Sequence, residues 1–145
     1  MSYLYSKNKN KVPVPKGTFE KLPVVTVQLP VYNEMYVVEI LISSVCNIDY
    51  PKELLEIQVL DDSTDKTTEI AHCCVSHFKE KGFNITCLHR KDREGYKAGA
   101  LREGLGSAKG ELIAIFDADF MPPKDFLNNT VNFFVDSKVG VVQVR

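Results

Sequence analysis

From Leu22 onward, short apolar runs rich in β-branched residues alternate with longer amphipathic stretches. Strands separated by helix-length segments lie side by side in one direction with the helices covering them, so the alternation specifies an α/β fold built on a mainly parallel sheet flanked by helices. The expected strands are Val24–Leu29, Glu56–Leu60, Asn84–Leu88, Leu112–Phe116 and Val139–Val144. The expected helices run from about Glu34 to Cys46, Lys66 to Lys81, Tyr96 to Ala108 and Lys124 to Asp136. Asn33 and Thr64 or Asp65 are available as N-caps, and Gly82 as a helix stop.

A chain of 145 residues that is 44% hydrophobic can bury one core. Its net charge of −1 gives no bulk basic surface for coating nucleic acid. No apolar run approaches the roughly 20 residues that cross a bilayer, and the opening residues lack a signal-peptide stretch, so the chain is expected to be soluble. Residues 1–22 differ from the remainder: Lys7, Lys9, Lys11, Lys16 and Lys21 face only Glu20, and Pro13 and Pro15 oppose regular structure. They are expected to form a flexible basic arm ahead of a single unit spanning 23–145. The arm reads either as a solvated terminus or as a segment adjoining a membrane helix outside this chain.

Cys46, Cys73, Cys74 and Cys87 show no C-x-x-C spacing and are expected as reduced, packed thiols. His72 and His77 lie near the Cys73-Cys74 pair, but neighbours on a helix point apart and make a poor metal cluster. Asn84-Ile85-Thr86 and Asn128-Asn129-Thr130 match a glycosylation acceptor pattern that would matter only in a secreted chain, and both are read as chance.

In a doubly wound sheet the loops after the strands' carboxyl ends enclose the ligand crevice. Polar residues collect there: Tyr32-Asn33-Glu34 after the first strand, Asp61 to Asp65 after the second, Asp117-Ala118-Asp119 after the fourth. Asp117 and Asp119, two residues apart on extended chain, can face one divalent cation that relieves their repulsion; the alternative is a solvated turn. Asp61 or Asp62 could accept a hydrogen bond from a nucleobase imide or ribose hydroxyl, while Thr64 or Asp65 caps the next helix. Arg90 to Gly99 is a mixed-charge loop entering a helix, and helix amides with a lysine suit a diphosphate. Lys97 is the chosen contact there, with Arg90 and Arg93 as weaker candidates. No Walker A loop and no G-x-G-x-x-G is present.

Four ordered motifs carry a resemblance: Val27-Gln28-Leu29-Pro30-Val31-Tyr32-Asn33-Glu34, Gln58-Val59-Leu60-Asp61-Asp62-Ser63-Thr64-Asp65, Gly95-Tyr96-Lys97-Ala98-Gly99-Ala100-Leu101 and Ile115-Phe116-Asp117-Ala118-Asp119-Phe120. Over about residues 22–145 the chain resembles family-two glycosyltransferases, especially cellulose-synthase-like and glucomannan-synthase-like members. The resemblance implies a GT-A, Rossmann-like fold, a UDP- or GDP-sugar donor, inversion at the anomeric carbon, and Mg²⁺ or Mn²⁺. By motif, Tyr32 and Glu34 fall in the nucleotide pocket, Asp61 and Asp62 in base or ribose recognition, Lys97 in the base and diphosphate region, and Asp117 and Asp119 in the D-x-D pair, with Asp117 also touching the nucleotide. It further implies a saccharide or lipid-linked acceptor, work on the cytoplasmic membrane face through segments outside this chain, and no nucleic-acid partner. The family's catalytic base and its Q-x-x-R-W motif are expected after Arg145, so this stretch is read as the donor-binding half, inactive alone. A non-catalytic nucleotide-binding or interaction domain is the alternative. An aspartyl phosphatase fits poorly, because its D-x-D opens the fold and here it follows several elements.

Overall fold

The structure, a computed structural model, describes residues 12–144. Four strands, β1 (Val25–Val31), β2 (Leu55–Asp61), β3 (Asn84–His89) and β4 (Leu112–Ile115), form one sheet in the order β3-β2-β1-β4. Every pairing is parallel. Helices α1 (Val38–Cys46), α2 (Thr67–Glu80) and α3 (Tyr96–Ser107) make the crossovers, and a short helix α4 (Phe126–Thr130) continues as a 3-10 turn over Val131–Val135. The α/β expectation and its first four strands are therefore realised.

Side chains alternate across a strand, and the two faces of this sheet differ in chemistry. Val25, Val27, Leu29, Leu55, Ile57 and Val59 join Leu41, Ile42, Val45, Ala71 and Val75 in the hydrophobic core beneath α1 and α2. The intervening residues Thr26, Gln28, Glu56 and Gln58 are polar and also buried. They survive burial because they bond to one another and to the covering chain. Gln28 Nε2 donates to Gln58 Oε1 (3.0 Å), and Gln58 Nε2 donates to the Gly104 carbonyl (3.0 Å) and Ser107 Oγ (3.1 Å). Glu56 accepts from Thr26 Oγ1 and from the Lys109 amide. Gly104 lets α3 lie this close, since a Cβ there would approach Gln28 Nε2 and Leu60 Cδ2 to 2.8 Å.

Three of the expected secondary-structure elements change. Residues 139–144 form no strand; Val142, Gln143 and Val144 instead line a cleft of about 460 Å³ beside β4. Valine-rich chain becomes strand only where a ladder accepts it, and β4 offers four residues with its outer side unpaired. The first helix begins at Val38 rather than near Glu34, because Asn33 adopts a left-handed conformation (φ 51°) and bonds across to the β2 loop instead of capping. The last helix is one α-turn followed by 3-10 geometry. Asp65 does accept the Thr67 amide at 2.9 Å, and Gly82 (φ 90°) follows the end of α2. Of the expected arm, residues 1–11 lie outside the described residues. Residues 12–22 form no helix or strand, and are fastened by Lys16 to Asp136 (2.6 Å) and by the Phe19 amide to Asn132 Oδ1 (3.1 Å). All four cysteines are free thiols; Cys46 is buried, while Cys73 is exposed rather than packed. Burial pushes the Cys46 and Cys87 thiols up to about 12, which keeps them protonated and unreactive.

The glutamine zipper positions α3, so it is open to test. Gln58→Leu removes the acceptor of Gln28 Nε2 and the donor to the Gly104 carbonyl, leaving them only the longer contacts to the Leu101 carbonyl (3.4 Å) and Ser107 Oγ (3.2 Å) in a dry layer. It should lower stability by about 1–3 kcal/mol in urea denaturation, although leucine is the more apolar residue.

Candidate functional site

Because all four strands run the same way, the segments leaving β1, β2 and β4 emerge along one edge of the sheet. There they enclose a cleft of about 340 Å³ whose lining includes Tyr32, Glu34, Asp62, Arg93, Lys97, Asp117 and Asp119. Six of the seven expected nucleotide or metal residues thus border one space. Asp61 is the seventh, and it is turned inward: its side chain is wholly buried.

The β1 and β2 loops are laced together. The Asn33 amide donates to Ser63 Oγ (2.9 Å), and the Thr64 amide donates to Asn33 Oδ1 (2.8 Å). Asp61 accepts the Ser63 amide through Oδ1 (2.9 Å), and its Oδ2 lies 2.9 Å from His89 Nδ1 at the end of β3. Burial alone would raise the Asp61 pKa, but hydrogen bonding from Ser63, Thr68 and His89 outweighs it and holds the carboxyl below its ordinary value.

Asp62 is paired differently. Arg90 Nε donates to its Oδ1 (2.7 Å) and Arg90 Nη2 to its Oδ2 (2.6 Å), a two-pronged contact with both groups largely buried. The same guanidinium donates to the Glu94 (3.1 Å) and Tyr96 (2.9 Å) carbonyls, so the loop 90–96 folds around it. The hydrogen bonds from Arg90 to Asp62 hold its pKa above the ordinary arginine value. The loop requires left-handed backbone at Gly95 (φ 71°) and Tyr96 (φ 50°). A Cβ at Gly99 would lie 1.9 Å from the Glu94 carbonyl oxygen and 2.8 Å from Arg90 Nη1. Arg90 is thereby a fastening of the cleft wall. Arg93 instead enters the cleft, its guanidinium carbon 3.4 Å from the Tyr32 ring centroid and 5.2 Å from that of Tyr96.

At the other end Lys97, in the first turn of α3, is hydrogen-bonded to Asp117, and both side chains are about half exposed. Asp119 is exposed beside them. Among the described residues no group of three or more His, Cys, Asp or Glu converges as a metal cage. Two open carboxylates are nonetheless a fitting donor set for a hard cation of the Mg²⁺ or Mn²⁺ kind, which keeps several positions for water and substrate phosphate. Asp117 already holds a cation, the Lys97 ammonium, at that position.

A parallel sheet with its crevice at the carboxyl edge is of the Rossmann-like class. Its comparison with solved structures agrees: the mannosyltransferase PcManGT from Pyrobaculum calidifontis, in complex with GDP-Man and Mn²⁺, superposes with a TM-score of 0.82 over 96% of this chain and 40% of that chain, at 33% identity. S. aureus TarS in complex with UDP-GlcNAc gives 0.61 over 82% of this chain and 37% of that one, at 26% identity. Residues 26–145 match the family described as Glycosyl transferase family 2, and the chain belongs to it. It is 44% identical over 128 residues to glucomannan 4-beta-mannosyltransferase 1 of Oryza sativa subsp. japonica, covering 85% of this chain and 25% of that protein. A probable glucomannan 4-beta-mannosyltransferase 10 of Arabidopsis thaliana is 44% identical over 131 residues, 87% of this chain and 24% of that protein. The chain thus spans about a quarter of the length of these relatives.

Two structural roles carry no sequence signal: which of Arg90 and Arg93 would turn back onto Asp62, and that Asn33 and Ser63 would join the loops. Both depend on pairings between segments about thirty residues apart in the chain.

Gly99→Ala places its methyl against backbone, so it should destabilise by about 1–3 kcal/mol despite alanine's better helix propensity. Thermal unfolding would measure it. Asp61→Asn tests the buried pair. Because the folded-state pKa of Asp61 is depressed, its contribution is present above the ordinary carboxylate pKa and is lost as pH falls through the folded value. The variant should be less stable by about 1–3 kcal/mol at neutral pH, and the difference from the native chain should shrink in acid when urea midpoints are compared across pH.

Proposed function

We propose that this chain is the donor-binding part of an inverting glycosyltransferase that builds a β-linked polysaccharide from a nucleoside diphosphate sugar. Of the UDP- and GDP-sugars the motifs allow, the GDP-mannose class is favoured, because the similar plant proteins are named as mannosyltransferases and the archaeal neighbour holds GDP-Man. The observation that carries the reading is the convergence of Tyr32, Asp62, Lys97, Asp117 and Asp119 on one cleft at the carboxyl edge of the sheet.

In this reading Tyr32, one face of which carries the Arg93 guanidinium, borders the base together with Glu34 and Asp62. Asp61 acts from behind the wall, holding Ser63 and His89. Lys97 is placed to leave Asp117 for the diphosphate, and Asp117 and Asp119 would hold the divalent cation. That cation, when bound, neutralises charge gathering on the departing diphosphate. The acceptor hydroxyl oxygen bonds to the anomeric carbon as the bond to the diphosphate oxygen breaks. Its proton passes to a carboxylate that the family resemblance places after Arg145. The acceptor is a saccharide or a lipid-linked saccharide, and the whole protein is proposed to work on the cytoplasmic face of a membrane. No helix among the described residues is long and apolar enough to cross one.

Calorimetric titration of the folded chain with GDP and with UDP, each with and without Mn²⁺, tests the reading. Metal-dependent binding is expected. Asp119→Ala should keep the fold, because its carboxylate is exposed, while its affinity in Mn²⁺ falls to that seen without metal. A folded native chain that binds neither nucleotide would overturn the donor-site assignment.

A further inference from the structure

Arg93 is a cation lining the cleft whose guanidinium makes no hydrogen bond among the described residues. Its guanidinium carbon lies over Tyr32, 3.4 Å from the ring centroid, with the Tyr96 centroid at 5.2 Å. Nε is buried and has no hydrogen-bond partner among the described residues, its nearest carboxylate oxygen being Asp62 Oδ2 at 4.0 Å. That oxygen is already taken by Arg90 at 2.6 Å. Arg93 is therefore a planar, permanently charged fork whose face is fixed by aromatic contact and whose donors await an acceptor.

Its place along the cleft identifies the acceptor. In the order β2-β1-β4, Asp62 leaves β2, Tyr32 leaves β1, and Asp117 and Asp119 follow β4. Neighbouring strands are about 4.8 Å apart, so the Arg93 fork above Asp62 and Tyr32 is set off from the acidic pair by the width of one or two strands. The acidic pair and Lys97 are suited to the diphosphate and its cation, which leaves Arg93 at the nucleobase end. A base lying beside Tyr32 in the plane of the guanidinium would meet this fork edge-on. Guanine offers two adjacent acceptors, O6 and N7, which match an arginine in a two-pronged contact; uracil offers O4 beside an apolar C5–H.

We propose that Arg93 is the base-selecting residue of this site, reading the O6/N7 edge of guanine and so favouring GDP-linked over UDP-linked donors. The proposal rests on the donor-site reading given above. Asp62, with Arg90 cancelling its charge, forms the neutral wall that keeps the fork from being captured by a nearer carboxylate.

The test compares Arg93→Lys with the native chain by titration of GDP, UDP and 7-deaza-GDP in Mn²⁺, with circular dichroism melting to confirm the fold. Lysine keeps the charge and loses the fork. The native chain should prefer GDP, and Arg93→Lys should lose about 10- to 100-fold of GDP affinity, the range of a two-pronged arginine–guanine contact, while UDP binding changes by less than about threefold. Replacing N7 by carbon in 7-deaza-GDP should weaken binding to the native chain and leave Arg93→Lys nearly indifferent. This ligand-side comparison stands even if the variant does not fold. Equal losses for GDP and UDP would make Arg93 a general phosphate attractor and overturn the proposal, as would native affinity for 7-deaza-GDP equal to that for GDP. If the folded native chain binds none of the three, the donor-site reading fails and this one with it; if it binds them without base preference, only the selectivity of Arg93 fails.

Discussion

The cleft depends on the pairing of Arg90 with Asp62. Asp62 directly follows β2 in a position with almost no solvent, where an unpaired carboxylate is costly. Arg90 satisfies both of its oxygens and gives two further donors to the Glu94 and Tyr96 carbonyls. One guanidinium therefore neutralises a buried acid and dictates the path of the loop that feeds α3. Removing either partner would leave the other charged and dry, the situation in which ion pairs are most expensive to break. Lys97 and Arg93 have defined positions because they hang from this loop.

The sheet divides its work between its faces. Under α1 and α2 it is aliphatic, and burial there supplies the driving force for folding. Under α3 it carries the Thr26–Glu56 and Gln28–Gln58 pairs, whose hydrogen bonds are directional. An aliphatic face would have tolerated several placements of α3. The glutamine bonds to Gly104 and Ser107 select one, and with it the height of Lys97 above the strand ends. The polar face thus serves precision more than stability.

Much of this was legible in the sequence because hydrophobic period and strand-end chemistry are local. The four realised strands and α2 and α3 fall within a residue or two of their expected limits, and Asp62, Lys97, Asp117 and Asp119 could be assigned to one edge from chain order alone. What was not legible depends on long-range pairing. Asp61 and Asp62 are adjacent and chemically identical; alternation along β2 sends them to opposite sides, but which side borders the cleft is set by the assembled sheet, where His89 meets Asp61 and Arg90 meets Asp62. The strand expected at Val139–Val144 failed for the same reason. Its composition suits a strand, but a ladder partner is a property of the assembled sheet.

The charge balance of the cleft explains why the proposed site needs a cation at all. Asp62 is cancelled by Arg90, so the free acids lining the cleft are Glu34, Asp117 and Asp119, against the bases Lys97 and Arg93. A nucleoside diphosphate brings further negative charge into a space where acids already outnumber bases. Lys97 cannot serve both the phosphates and Asp117, since one ammonium group cannot neutralise two anions. If it turns to the diphosphate, Asp117 and Asp119 are left side by side without a counter-charge, an arrangement that repulsion disfavours. A divalent ion held by Asp117 and Asp119 would relieve both penalties and leave Lys97 available to the diphosphate. In the proposed reading, the ammonium that pairs with Asp117 would turn to the diphosphate when the cation takes its place.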